Sequence, residues 1–323
     1  MKCVLVTGAA GFLGSHLCDK LLAHGYKVVG VDNFFRGKVE NLPENDNFYF
    51  YTCDVSKDLH ILRDVMTTHL PEMIFHYAAI NGTQYFYDIP YKVFDDNVAM
   101  TQTILAACEH PNNKVKKIFY ASSSEVYGNN PPTPTPEGHH ILLNVYSDRD
   151  SYASSKALGD FYVKHFCKKK NISYVILRIF NTYGPRMDVT KYGQVVPEFI
   201  RKASSEEQFT IIGTGKHTRS FCFVEDHVKA VVELIDKSDN EIINIGNDEE
   251  ITIEHLAKTI NQILNKEYNP VYLPERDYDT LKRQPDINKL KKYIGEHKFI
   301  GLNEGLYETI AWHIQEKNEN LYK

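Results

Sequence analysis

Two residues able to do chemistry together stand in "SYASSK". Tyr152 and Lys156 are four positions apart, which puts them one turn apart on one helix face. A free tyrosine, with a pKa of about 10, is a poor base. A neighbouring ammonium favours the phenolate, as would a cationic nicotinamide. Such a phenolate can take a hydroxyl proton while hydride leaves the same carbon. That pairing needs a nearby site for the electron acceptor.

The first residues supply one. "VTGAAGFLG" spaces Gly8, Gly11 and Gly14, with Phe12 and Leu13 between the last two. The motif follows a short apolar strand and opens a helix. Glycines there let the backbone turn tightly and approach a pyrophosphate at the helix N-terminus. Asp32, followed by Asn33, ends the next apolar run. A carboxylate there accepts from both ribose hydroxyls and repels a 2′-phosphate, so NAD is expected over NADP. Arg36 lies close enough to blur that preference. Asp54 and Val55 are expected at the adenine edge, and the small Ala78 and Ala79 where the backbone passes the cofactor. His76, before them, is expected to be structural.

A third constellation is "YASSSEVYG" at 120–128. Ser123, Ser124 and Glu125 are the candidates for a catalytic role. Ser122 is expected to serve the turn, and Ser124 could equally bond local backbone. Glu125 could act as acid/base, orient a substrate, or pair with a nearby Lys or Arg at the sheet edge.

These residues need rigid elements, and the sequence predicts them. Up to about residue 180, apolar runs such as "KCVLVTG", "KVVGVDN", "MIFHYAA", "KKIFYASSS" and "SYVILRIFN" alternate with helical stretches near 58–69, 91–109 and 151–170. Near-continuous apolar strands between helices predict an α/β fold, a Rossmann-type doubly wound parallel sheet with a smaller C-terminal substrate-binding lobe. The expected division is 1–180, plus about 221–246, for NAD, and 181–220 with 247–323 for the substrate. A loop is expected over 182–194, a helix near 194–204, a strand near 209–212, and mostly helix after 252. "PPTPTP" at 131–136 fits neither central strand nor helix and is expected as an extended flap beside the fifth strand.

With 323 residues, one large or two-lobed unit has an ample core. A net charge of −5 argues against nucleic acid or an anionic membrane as the main partner. No apolar run approaches the roughly 18 residues needed to span a bilayer. The six scattered cysteines form no C-x-x-C pair and read as reduced core thiols of a cytoplasmic protein. Adjacent His139 and His140 have no third ligand at metal spacing, so no metal is expected.

Taken together, "TGAAGFLG", "VDNFFRGK", "HYAA", "SSSEVYG", "SYASSK", "RIFNTYGPR", "TRSFCFVEDHVKAV", "INIGN" and "RQPDI" resemble the extended short-chain dehydrogenase/reductase family, in its nucleotide-sugar epimerase/dehydratase branch, over essentially the whole chain. The resemblance implies NAD as cofactor and a nucleotide-diphosphate sugar as substrate, oxidised at C4 to a 4-keto species for surface-polysaccharide biosynthesis. It implies a homodimer through the helices near 91–109 and 152–169. It places Ser123 on the reacting hydroxyl, Asn97 in the cofactor pocket, Asn181 on the sugar or phosphate, Arg219 and Arg283 on the diphosphate, and Val195 in the base-contacting stretch. Simple UDP-galactose 4-epimerases lack a glutamate at Glu125, whereas 4,6-dehydratases and UDP-glucuronate decarboxylases carry one. The stretch "LLNVYSDRDSYASSK" differs from the Gly/Pro-rich segment of plant and animal decarboxylases and is similar to bacterial capsule and lipopolysaccharide enzymes.

Overall fold

The computed structural model describes residues 1–188, 190, 193–205, 207–275 and 280–321, without side chains from 316 onward. Part of the loop expected over 182–194 therefore lies outside the described residues. The first elements alternate except that β3 follows β2 and α4 follows α3: β1 (Cys3–Thr7), α1 (Phe12–Ala23), β2 (Lys27–Asp32), β3 (Phe48–Thr52), α2 (Leu59–His69), β4 (Met73–His76), α3 (Thr83–Asp88), α4 (Pro90–Ala107), β5 (Lys117–Ser123), α5 (Asp150–Lys170) and β6 (Ser173–Ile179). Then come β7 (Thr182–Tyr183), α6 (Val195–Ala203), β8 (Thr210–Ile212), β9 (Thr218–Ser220), β10 (Cys222–Phe223), α7 (Val224–Glu233) and β11 (Glu241–Ile245). The chain closes with β12 (Glu250–Thr252), α8 (Ile253–Ile263), β13 (Val271–Leu273), β14 (Lys282–Arg283), α9 (Asn288–Ile294) and α10 (Leu302–Leu321).

Seven strands form one parallel sheet in the order β11-β6-β5-β4-β1-β2-β3. Both faces are covered, and strand alternation decides which side chain goes where. Cys3 and Leu5 of β1 join Leu62, Val93, Ile104 and Val163 of α2, α4 and α5. Val4 and Val6 point the other way, to Leu17, Val228 and Leu290 of α1, α7 and α9. The strand order reverses between β1 and β4. In open α/β sheets the ligand crevice lies outside the strand ends at such a switch point. Thr7 ties this point together: its hydroxyl bonds His76 Nδ1 at 2.8 Å and accepts from the amides of Tyr77 and Ala78 at 3.1 and 3.0 Å. Burial drives the His76 imidazole down to about 3, with Lys156 adding to the effect, so it is a neutral structural group.

Small sheets of β12-β9-β14 and β13-β8 sit apart from the main sheet. They accompany a third apolar cluster, including Val196, Phe199, Leu256 and Ile260, against which Phe12 and Leu13 pack. One expectation is met here and one changes. The described region after 252 is mostly helical, as expected, and also carries β13 and β14, whose runs of two or three residues are too short to show alternation. The proline-rich flap lies against the stretch after β14: the Thr135 amide donates to Gln284 O, and Thr135 O accepts from Asp286 N and Asn244 Nδ2. Among the described residues no helix is long and apolar enough to cross a membrane.

Candidate active site

A cleft of about 440 Å³ opens at the switch point. Its walls carry Gly8, Gly11, Phe12, Leu13, Gly14, Asp32, Asn33, Arg36, Asp54, Val55, Ala78, Ala79, Asn181, Ser123, Ser124, Glu125, Tyr152 and Lys156. Residues from separate stretches of the sequence thus meet in one crevice.

The glycines are required by close approach. Gly8 has φ +72°, and a side chain on it would meet the Ala78 amide nitrogen at 2.9 Å. A Cβ on Gly14 would stand 2.0 Å from Gly8 O, so the first turn of α1 packs directly on the turn before it. Gly8, Gly11 and Gly14 therefore bring the start of α1 to the cleft wall with no Cβ of their own, a fit for a pyrophosphate. Asp32, only 8% exposed, accepts from Ala10 N at 3.0 Å and Phe34 N at 2.8 Å. Burial pushes its carboxyl up, while these amides pull it back. These features fit the pyrophosphate and ribose of a dinucleotide. Arg36 is engaged elsewhere: it pairs with Asp188 at 3.0 Å and lies 5.7 Å from the Tyr85 ring. Asp54 Oδ1 accepts from the Ser56 hydroxyl at 2.6 Å.

On the other side, β5 ends in Ser123 and a 3-10 turn, Ser124–Tyr127, follows. Ser123, not Ser122, caps that turn: its Oγ accepts from Glu125 N at 3.2 Å. Ser122 is a strand residue of β5 that lines the cleft. Tyr152 and Lys156 lie on the buried side of α5. Burial pushes the Tyr152 phenol up, a hydrogen bond with Ser123 pulls it down, the Glu125 charge raises it and the Arg36 charge lowers it. Burial lowers the Lys156 ammonium to about 8, with Asp160 opposing. Lys156 Nζ is 5.8 Å from the Tyr152 ring centre and 5.2 Å from that of Tyr120. Gly159 permits the tight α5–β5 packing, since a Cβ there would meet the Tyr120 hydroxyl at 1.9 Å.

Glu125 faces the cleft but is not free. Arg149 donates Nη2 to Oε1 at 3.0 Å and Nε to Oε2 at 3.3 Å. Arg283 donates Nη1 to Oε1 and Nη2 to Oε2. Burial raises the carboxyl, but the two guanidiniums outweigh it and hold the group well below the usual carboxylate range. It stands as an anion, so the alternative of an ion pair at the sheet edge is the one observed.

Four expected site residues are not among the cleft walls. Arg283 is spent on Glu125 and on Thr280 Oγ1 at 3.0 Å. Arg219, its register neighbour on β9, donates to Thr218 O at 2.8 Å. Asn97 uses its amide to hold Ile80: Oδ1 accepts from Ile80 N at 2.7 Å and Nδ2 donates to Ile80 O at 3.2 Å. Val195 opens α6, and its neighbour Gln194 lines the cleft instead. Sequence reasoning missed Arg149, whose one signal is a cation three residues before the tyrosine on the same helical face. It also missed Thr7 and Phe86, whose partners His76 and Tyr152 stand far along the chain.

A model of the NAD dependent epimerase/dehydratase family matches residues 4–246. UDP-glucuronic acid decarboxylase 1 of Xenopus tropicalis is 34% identical over 315 residues, covering 96% of this chain and 72% of that protein. UDP-N-acetyl-alpha-D-glucosaminuronate decarboxylase of Bacillus cytotoxicus is 33% identical over 326 residues, covering 98% and 99%. Among solved structures, the UDP-glucose 4-epimerase of Thermotoga maritima with UDP-glucose superposes with a TM-score of 0.89 at 33% identity, covering 98% of this chain and 99% of that one.

Proposed function

The chain belongs to the NAD-dependent epimerase/dehydratase family, and from that premise we propose that it oxidises the C4 hydroxyl of a sugar carried on a nucleoside diphosphate. Bound NAD supplies the two-electron acceptor for that oxidation. The observation that carries the reading is the meeting of Ser123, Tyr152 and Lys156 in the cleft that holds the glycine turn and Asp32. Tyr152, as phenolate, takes the C4 hydroxyl proton. Ser123 orients that hydroxyl, and the Lys156 ammonium stabilises the phenolate. On this reading residues 1–180 and about 221–246 hold NAD, and the rest holds the nucleotide sugar.

A second, finer reading is favoured by Glu125 and by the decarboxylases among the relatives. A C4 ketone turns a C6 carboxylate at C5 into a β-keto acid. Its C5–C6 electron pair moves into an enolate as carbon dioxide leaves, and C5 then takes a proton. Arg149 and Arg283 bring two guanidiniums to Glu125 beside the cleft, and cations there favour a sugar that brings a carboxylate of its own. Such an enzyme would serve surface-polysaccharide synthesis in the cytoplasm. Exposed Leu158, Phe161 and Tyr162 on α5 support a homodimer through α4 and α5.

The test is incubation with NAD and a panel of UDP-, GDP-, dTDP- and CDP-linked hexoses and hexuronic acids, read by mass spectrometry and NMR. Loss of carbon dioxide supports the decarboxylase reading. Loss of water, loss of two hydrogens, or an unchanged mass with an inverted centre identifies dehydration, net oxidation or epimerisation. No change with any sugar sinks the proposal.

A further inference from the structure

The stretch "NGTQYFY", 81–87, has so far been given no role. From Thr83 onward it belongs to α3, and it sets two adjacent rings against residues of two different parts of the cleft wall. Tyr85 lies against the loop after β2, 5.6 Å from the Phe35 ring and 5.7 Å from the Arg36 guanidinium. Phe86 turns inward. Its ring stacks on Tyr152 with centroids 4.9 Å apart and planes 12° from parallel. Phe86 is 3% exposed and belongs to the same apolar cluster as Tyr152. Nearly parallel rings at this separation attract each other and restrict one another's rotation.

We propose that Phe86 is the positioning residue of Tyr152, fixing the plane of the phenol and shutting water from its ring while the hydroxyl end is left to Ser123. The inference rests on the reading of Tyr152 as the base. The charged and titratable groups that act on Tyr152 are Lys156 on its own helix, Ser123 and Tyr120 on β5, Glu125 on the following turn, and Arg36 beyond β2. Phe86 adds no charge to this set. It acts by burial, which is the leading cause of the raised phenol, and by orientation.

Those two actions separate in two variants. Phe86→Leu keeps the site apolar but loses the parallel ring. It should keep the Tyr152 titration midpoint near wild type and lower kcat about tenfold, with KM little changed. Phe86→Ala admits water. It should lower the Tyr152 midpoint by about one pH unit and lower kcat further. The midpoint is read without turnover, from the Tyr152 resonance of tyrosine-ring ¹³C-labelled enzyme with NAD added, assigned by its loss in Tyr152→Phe. Equal NAD affinity in the variants confirms that the cleft is intact. An Ala variant whose Tyr152 midpoint stays at or above wild type overturns the proposal, as does a Leu variant with wild-type kcat. Failure of the C4-oxidation reading shows separately, as a wild type that turns over no nucleotide sugar while the resonance test still decides on Phe86.

Discussion

Arg149 and Arg283 hold one carboxylate between them. Arg149 stands just before α5, Arg283 ends β14 at 2% exposure, and each offers two nitrogens to Glu125. The four N–H groups occupy the lone-pair sites that a carboxylate has to offer. A glutamate so engaged neither gives nor takes a proton without releasing an arginine. Its first effect is to join two distant parts of the chain beside Ser123.

Removing the charge at Glu125 tests this. Glu125→Gln removes the anion shared by the buried Arg283 and the half-buried Arg149 and should cost about 3–5 kcal/mol. The carboxyl is depressed in the fold, so its contribution is complete above its ordinary value of 4.5 and is lost as pH falls toward the folded value. The gap in Tm between wild type and Glu125→Gln should therefore narrow as the pH drops from about 5 to about 3. A gap that stays constant would show that the pair contributes through shape rather than charge.

Lys156 makes the opposite kind of prediction. Burial lowers its ammonium to about 8, so its charge disappears above that pH and with it the support for the Tyr152 phenolate. The kcat profile should fall through an alkaline limb at about 8. Lys156→Arg, which cannot lose its charge, should move that limb up or remove it. For stability the sign is reversed: between the folded value and the ordinary 10.5 the unfolded chain holds the extra proton, so wild type gains stability as pH rises there.

The parts of this site that could be read from the sequence are those coded by local spacing. Gly8, Gly11 and Gly14 run from the end of β1 into the first turn of α1, Asp32 ends the next strand, and Tyr152 and Lys156 are one helical turn apart. The parallel sheet was legible because strands such as β1 and β5 are buried along their whole length. What escaped depends on pairing between remote segments. Arg283 reaches Glu125 through the register of the two-residue strand β14 on β9, which no pattern of apolar residues announces. Ser122 and Ser123 both line the cleft, but only Ser123, the last residue of β5, meets the Glu125 amide, and where the strand ends is not coded by the serine run itself. Asn97 offered a cofactor contact by type, yet its amide is taken by the Ile80 backbone and the Ser155 hydroxyl.

The cofactor site makes a prediction that needs no substrate. Gly14→Ala would put a methyl 2.0 Å from Gly8 O, so the turn must open, and NAD binding measured by fluorescence or calorimetry should be lost. Asp32→Ser keeps the turn and removes the negative charge. It should weaken NAD about tenfold, which is about 1.4 kcal/mol, and reduce the preference over NADP. Unchanged NAD affinity in both variants would place the cofactor elsewhere.

The last prediction concerns the base itself. Tyr152→Phe removes one oxygen from a ring that stays packed against Phe86, so Tm should change little and NAD should bind as before. The hydroxyl is what takes the proton, and general-base catalysis accounts for about 10²–10⁴-fold in rate. Turnover should fall by about that factor at every pH, without the limb set by the phenol. Ser123→Ala should lose less, because it leaves the base in place and removes one hydrogen bond that favours its ionised form. If Tyr152→Phe keeps wild-type turnover, the proton goes to another group. Among the cleft walls the candidate would then be Glu125, which could serve only after Arg149 or Arg283 lets go.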